Sequence, residues 1–118
     1  GIDAPEMGQE PWGSNARLYL RNLFKKSNNG VLVETDVVRT DKYNRNLVYL
    51  WTPEKEEMIN ERMLRDGFAV LFTIQPNSKH ADRFVEAQRA AKQAGAGIWA
   101  PDGLKERPRD YKKKHPRK

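Results

Sequence analysis

Two short segments carry side chains suited to work on a phosphate ester: Asp3 and Glu6, separated by Ala4 and Pro5, and Asp41-Lys42-Tyr43-Asn44-Arg45 further along. Carboxylate oxygens hold hard divalent cations and take protons from water. A guanidinium grips a phosphate through two parallel N–H donors, which an ammonium does less well and a carboxylate cannot do. Brought together by folding, the two segments would suit hydrolysis of a phosphodiester by a metal-assisted water. Taken singly, each residue has a plainer reading. Asp3 and Glu6 fit a solvated loop, Arg45 a surface ion pair, Asp41 and Lys42 a turn, and Tyr43 a cover for a sheet edge. The combination is what points to chemistry.

Composition sets the frame for these segments. A chain of 118 residues fits one domain with one core. Hydrophobic residues make up 37% and charged residues 32%, enough for a core under a well-solvated surface. No stretch approaches the roughly 20 apolar residues of a membrane span, so no membrane partner is expected. The absence of cysteine excludes disulfides, thiolate zinc sites and cysteine nucleophiles, and leaves the compartment open. The net charge of +6 sits in residues 105–118, where eight Lys and Arg face two acids; residues 1–104 are balanced. We therefore expect a folded domain over 1–104 and a disordered basic tail over 105–118, with weak affinity for polyanions.

The elements that must position the two segments follow from periodicity. Gly1-Ile2-Asp3-Ala4-Pro5 reads as the end of a strand entering a loop, with no first half of a hairpin before it. The chain is therefore expected to be a fragment or processed form. Ala16, Tyr19, Leu20, Leu23 and Phe24 share one face of a helix running to about Ser27 and capped by Ser14. Val31 to Arg39 and Asn46 to Trp51 read as the arms of a hairpin turning through Asn44. A second helix carries Met58, Ile59, Met63 and Leu64 inward and ends at Gly67. Phe68 to Ile74 reads as a strand buried on both faces. Ala81 to Ala94 reads as a third helix, with Phe84, Val85, Ala87, Ala91 and Ala94 inward and Gly95 closing it. Trp12, Trp51 and Trp99 are expected to pack, and His80 and His115 have no ligand partners at local spacing. Three helices with a small antiparallel sheet make an α+β domain. So few strands leave open edges, which invite self-association unless something covers them.

Four stretches in order carry a resemblance to the staphylococcal nuclease (thermonuclease) family: Gly1–Glu6, Arg39–Arg45, Met58–Glu61 with Arg65–Gly67, and Gly97–Trp99. The resemblance implies an OB-type five-stranded barrel with three helices, its first strands missing from this chain. It implies calcium-dependent hydrolysis of DNA and RNA to 3′-phosphates, and by family habit an exported protein. By resemblance Asp3 and the Ala4 carbonyl bind the metal, and Glu6 is the general base. Arg45 binds the scissile phosphate, and Asp41, Lys42 and Tyr43 line the nucleotide pocket. A further calcium aspartate and a second phosphate-binding arginine of the family would lie upstream of Gly1, so the chain as given is expected to be impaired. The alternative expectation is a noncatalytic module of the same fold that binds nucleic acid or protein; the joint presence of Asp3, Glu6 and Arg45 favours the enzyme.

Overall fold

A computed structural model describes residues 2–4, 9–26, 30–42, 44–53, 57–72, 76–103 and Pro108, with Asp3 described by its backbone. Strand β1 (Ile2–Asp3) is followed by helix α1 (Trp12–Lys26), strands β2 (Leu32–Thr40) and β3 (Asn46–Trp51), and helix α2 (Ile59–Arg65). Strand β4 (Val70–Leu71) and helix α3 (Ala81–Ala94) come next, and a 3-10 turn spans Gly97–Trp99. The described elements make an α+β arrangement of three helices and a small open sheet. Their strands form two antiparallel pairs, β1 with β4 and β2 with β3. A five-stranded barrel is not established by these pairs.

Helix α1 begins at Trp12, ahead of the expected Ser14 cap. The Gln9 and Pro11 carbonyls already accept from Gly13 and Asn15 at 3.0 Å, so the first turn is closed without a hydroxyl. Ser14 instead donates its Oγ–H to Glu10 Oε1 at 2.7 Å. The expected apolar face holds: Ala16 is buried, and Tyr19, Leu20, Leu23 and Phe24 pack partly buried against the core. Tyr19 stacks on Phe68 with centroids 4.3 Å apart. Its hydroxyl donates to Asp66 Oδ2, which also accepts from Arg62 Nε at 2.8 Å. Burial first, and the Asp66 carboxylate second, push the Tyr19 phenol up to about 12. Together these contacts seat α1 on the end of α2.

The hairpin keeps a regular register from Leu32↔Trp51 to Thr35↔Val48, then breaks. The next pair is Thr40↔Asn46, so residues 36–39 of β2 stand against Leu47 alone. An excess of residues on one strand bends and twists it more strongly than a regular ladder does. Backbone groups outside the ladder are taken up by side-chain amides. Asn77 accepts from Val38 N–H and donates to Val38 C=O, both at 2.8 Å. On β3, buried Asn60 accepts from Leu50 N–H at 2.8 Å and donates to Val48 C=O at 3.1 Å. On β4, Gln88 accepts from Leu71 N–H at 2.7 Å. Three amides thus occupy backbone groups that a neighbouring strand would otherwise take.

The core lies between the hairpin, α2 and α3, where Tyr49, Trp51, Met58, Ile59, Met63, Leu64, Phe84 and Ala87 are buried together. Helix α3 has the expected bounds and turns Phe84, Ala87 and Ala91 inward. Val85 does not follow them. A helix advances about 100° per residue, which swings Val85 away from Phe84, and it is 48% exposed. Ala94, at the last helical residue, is also exposed. The strand expected from Phe68 starts only at Val70, because the chain is still leaving α2: Gly67 has φ +80 and Phe68 N–H bonds the Met63 carbonyl at 2.9 Å. Residues 73–75 lie outside the described set.

Gly67 and Gly97 make a backbone crossing. Ile98 N–H donates to Gly67 C=O at 2.9 Å. A Cβ on Gly67 would stand 2.2 Å from the Ala96 oxygen, and one on Gly97 2.2 Å from the Gly67 oxygen. Only hydrogen fits on either residue. Buried Ile98 is fixed by this crossing, while the Trp99 ring carries Lys92 Nζ at 4.8 Å.

Candidate functional site

The turn between β2 and β3 builds the one part of the expected site whose side chains the structure details. Asp41 and Arg45 close it by backbone bonding, Asp41 N–H to Arg45 C=O at 3.0 Å, and Asn44 N–H returns to Asp41 C=O at 3.0 Å. Asn44 sits at φ 63, a left-handed conformation that asparagine tolerates better than most residues. The Asp41 carboxylate then takes Arg45 twice: Oδ1 accepts its backbone N–H at 2.9 Å, and Oδ2 accepts Nε–H at 2.7 Å. The Asp41 side chain is 9% exposed and the Arg45 side chain 58%. A nearly buried acid therefore orients an exposed guanidinium from behind. A bond through Nε fixes the plane of the fork, whose remaining N–H groups lie on the two terminal nitrogens. Lys42 stands exposed on the same turn.

Ala4 follows β1 and, with Ile2, packs partly buried against the core. The Asp3 backbone pairs with Val70. Glu6 and Tyr43 lie outside the described residues, so of the expected site the structure joins Asp41 to Arg45, puts Lys42 beside them, and fixes the β1 backbone leading to Ala4. Among the described residues, no three His, Asp or Glu side chains stand close enough together to hold a metal ion.

A second polar constellation was not anticipated. Glu34 on β2 accepts from Trp51 Nε1 at 3.0 Å and lies 2.8 Å from His80 Nε2, with Lys79 Nζ at 3.3 Å. Its neighbour Asp36 accepts from the Tyr49 hydroxyl at 2.6 Å and from Lys79 N–H at 3.0 Å. The His80 ring stands edge-on to Tyr49 at 4.6 Å between centroids. His80 bonding, then Trp51 bonding, lowers the Glu34 carboxyl to about 2. Tyr49 likewise holds Asp36 below the ordinary carboxylate range. Burial, and then Asp36, raises the Tyr49 phenol. This cluster ties the start of α3 to β2. Glu34 is 46 residues from His80, so no local spacing could reveal it.

The model of the family described as "Staphylococcal nuclease homologue" matches residues 1–101. The chain is 30% identical over 105 residues to the thermonuclease of Staphylococcus hyicus, covering 85% of this chain and 60% of that protein. It is 32% identical over 104 residues to the thermonuclease of Staphylococcus intermedius, covering 84% and 60%. Against the SPbeta prophage-derived endonuclease YokF of Bacillus subtilis it is 33% identical over 110 residues, covering 86% and 36%. The chain therefore belongs to the staphylococcal nuclease family, and spans 60% or less of the length of these relatives.

Proposed function

We propose that the protein is a nuclease of the phosphodiesterase type, hydrolysing DNA and RNA without regard to the sugar and leaving 3′-phosphates. The observation that carries this reading is the Asp41–Arg45 pair: a family member presents an exposed guanidinium whose plane is fixed by a nearly buried carboxylate. In this reading Arg45 grips the scissile phosphate and stabilises charge developing on its oxygens and on the leaving 5′ oxygen. Lys42 and Tyr43 lie toward the nucleotide's terminal phosphate. Glu6 takes a proton from the attacking water, whose oxygen bonds phosphorus as the P–O5′ bond breaks. The Asp3 carboxylate and the Ala4 carbonyl are the kind of oxygen donors that calcium takes, and would hold it. When bound, that ion would neutralise charge on the phosphoryl group.

The OB-type barrel belongs to the same proposal, with further strands preceding residue 1. The bulge over residues 36–39 supports it, since extra curvature is what barrel closure needs. The test is cleavage of DNA by the protein with calcium and with EDTA, beside Glu6→Gln and Arg45→Ala. Calcium-dependent cleavage that collapses in both variants is expected. Full activity in both variants, or cleavage in EDTA, overturns the site. Nucleic-acid binding without any cleavage by the native protein assigns the noncatalytic reading instead.

A further inference from the structure

Helix α1 carries Arg17, Arg21, Lys25 and Lys26 and no acidic residue. Arg17, Arg21 and Lys25 follow at four-residue steps, and all three are exposed. Neighbours at this spacing lie about 6 Å apart on one helix face, a ladder of three cations along roughly 12 Å. Most of the other described cations differ from these, Arg39 on β2 and Lys92 on α3 excepted. Arg45, Arg62, Arg65, Arg83 and Arg89 each stand beside a carboxylate. Among the described residues, none lies within ion-pair distance of Arg17, Arg21, Lys25 or Lys26. The helix dipole favours cations in the last turn, which accounts for Lys25 and Lys26. It does not account for Arg17 and Arg21, which lie earlier in the helix.

We propose that the Arg17–Arg21–Lys25 face of α1 is a binding strip for a nucleic-acid backbone, separate from the Asp41–Arg45 turn. The choice of polyanion rests on the nucleic-acid reading above. A membrane surface fits less well, because an interfacial helix must offer an apolar face for insertion. Here Ala16, Tyr19, Leu20, Leu23 and Phe24 are committed to the core, and Leu18 is the single large apolar residue left exposed on α1. The strip touches phosphates and reads no sequence. It would hold a long strand at several points while one bond is presented elsewhere.

The experiment is anisotropy of a fluorescein-labelled 30-nucleotide single-stranded DNA with the full chain in EDTA, which separates binding from cleavage. The triple variant Arg17→Gln/Arg21→Gln/Lys25→Gln is compared with the native chain and with Arg89→Gln/Lys92→Gln, which removes charge from α3. Each phosphate contact on a single strand adds about 0.7 to the salt slope, so losing three should flatten it by about 2 and weaken binding on the order of 100-fold in 0.1 M salt. The α3 variant should stay near the native slope. Unchanged affinity and slope in a folded triple variant overturn the proposal. So does equal weakening by the α3 variant, which would make the effect one of net charge. Strip-dependent binding to phosphatidylglycerol vesicles without DNA binding overturns it too, in favour of a membrane. Cleavage of a dinucleotide should be the same in the triple variant, so failure of the strip is distinguishable from failure of the nuclease reading.

Discussion

Both oxygens of the Asp41 carboxylate bond Arg45, one through its backbone N–H at 2.9 Å and the other through Nε at 2.7 Å. The acid that resemblance placed in the nucleotide pocket thus holds the proposed phosphate clamp. Removing the clamp and removing its holder should differ in degree. Arg45→Ala is expected to lower kcat/KM on DNA by about 10³-fold or more. Asp41→Asn should cost on the order of 10²-fold, the scale of a misplaced group. Arg45→Lys should not rescue, since an ammonium cannot bond Asp41 and grip a phosphate as a planar fork. Steady-state kinetics check this; an Asp41→Asn enzyme as fast as the native one would show that the holder is dispensable.

The Gly67–Gly97 crossing gives an expectation about stability. Gly67→Ala puts a methyl 2.2 Å from the Ala96 oxygen at φ +80, and backbone on both sides must move. The expected loss is about 3 kcal/mol or more, a large part of the roughly 5–15 kcal/mol of a typical domain. Gly95 has a similar φ of +62 but nothing within 4 Å of its Cβ position, so Gly95→Ala should cost only about 1 kcal/mol. Urea denaturation of the two variants separates conformational cost from collision. Equal losses would mean that the contact is not tight.

What could be read from the sequence followed from local rules. Helix α3 and its left-handed Gly95 cap came from periodicity and one glycine, and the hairpin from two β-rich runs about a polar turn. Where several local signals competed, boundaries slipped: Ser14 looks like a cap, but the Gln9 and Pro11 carbonyls start α1 earlier. The inward place given to Val85 failed because apolar character alone does not fix a residue's angle around a helix. Pairings at long separation had no local signature. Glu34 with His80, Asn60 with β3 and Asn77 with β2 join segments whose meeting depends on the whole fold. Of the proposed site, the turn could be read because Asp41 and Arg45 are only four residues apart.

Asn60 is expected to matter for the fold more than its polar character suggests. Its amide is 9% exposed and satisfies Leu50 N–H and Val48 C=O together. Asn60→Leu leaves both backbone groups without that partner, at about 1–3 kcal/mol each where water cannot replace it. Asn60→Asp keeps the acceptor for Leu50 but loses the donor to Val48 and buries a charge, so it should be no better. Urea midpoints and hydrogen exchange at Leu50 read this directly. Native protection of the Leu50 amide in Asn60→Leu would refute the assignment.

Acid sensitivity should trace to the Glu34 cluster. The folded carboxyl titrates near 2, against about 4.3 for glutamate in an unfolded chain. A depressed carboxyl stabilises the fold fully above its unfolded value and ceases to do so as pH falls through the folded one. The contribution of Glu34 should therefore fade between about pH 4.3 and pH 2, with Asp36 acting in the same direction. The groups bonded to Glu34 are His80, Trp51 and Lys79, and those bonded to Asp36 are Tyr49 and the Lys79 and Val37 amides. Glu34→Gln should already be weaker at pH 5 and should lose less on acidification than the native chain. Urea midpoints from pH 5 to pH 2 test the slope; parallel curves for the two proteins would remove Glu34 from the account.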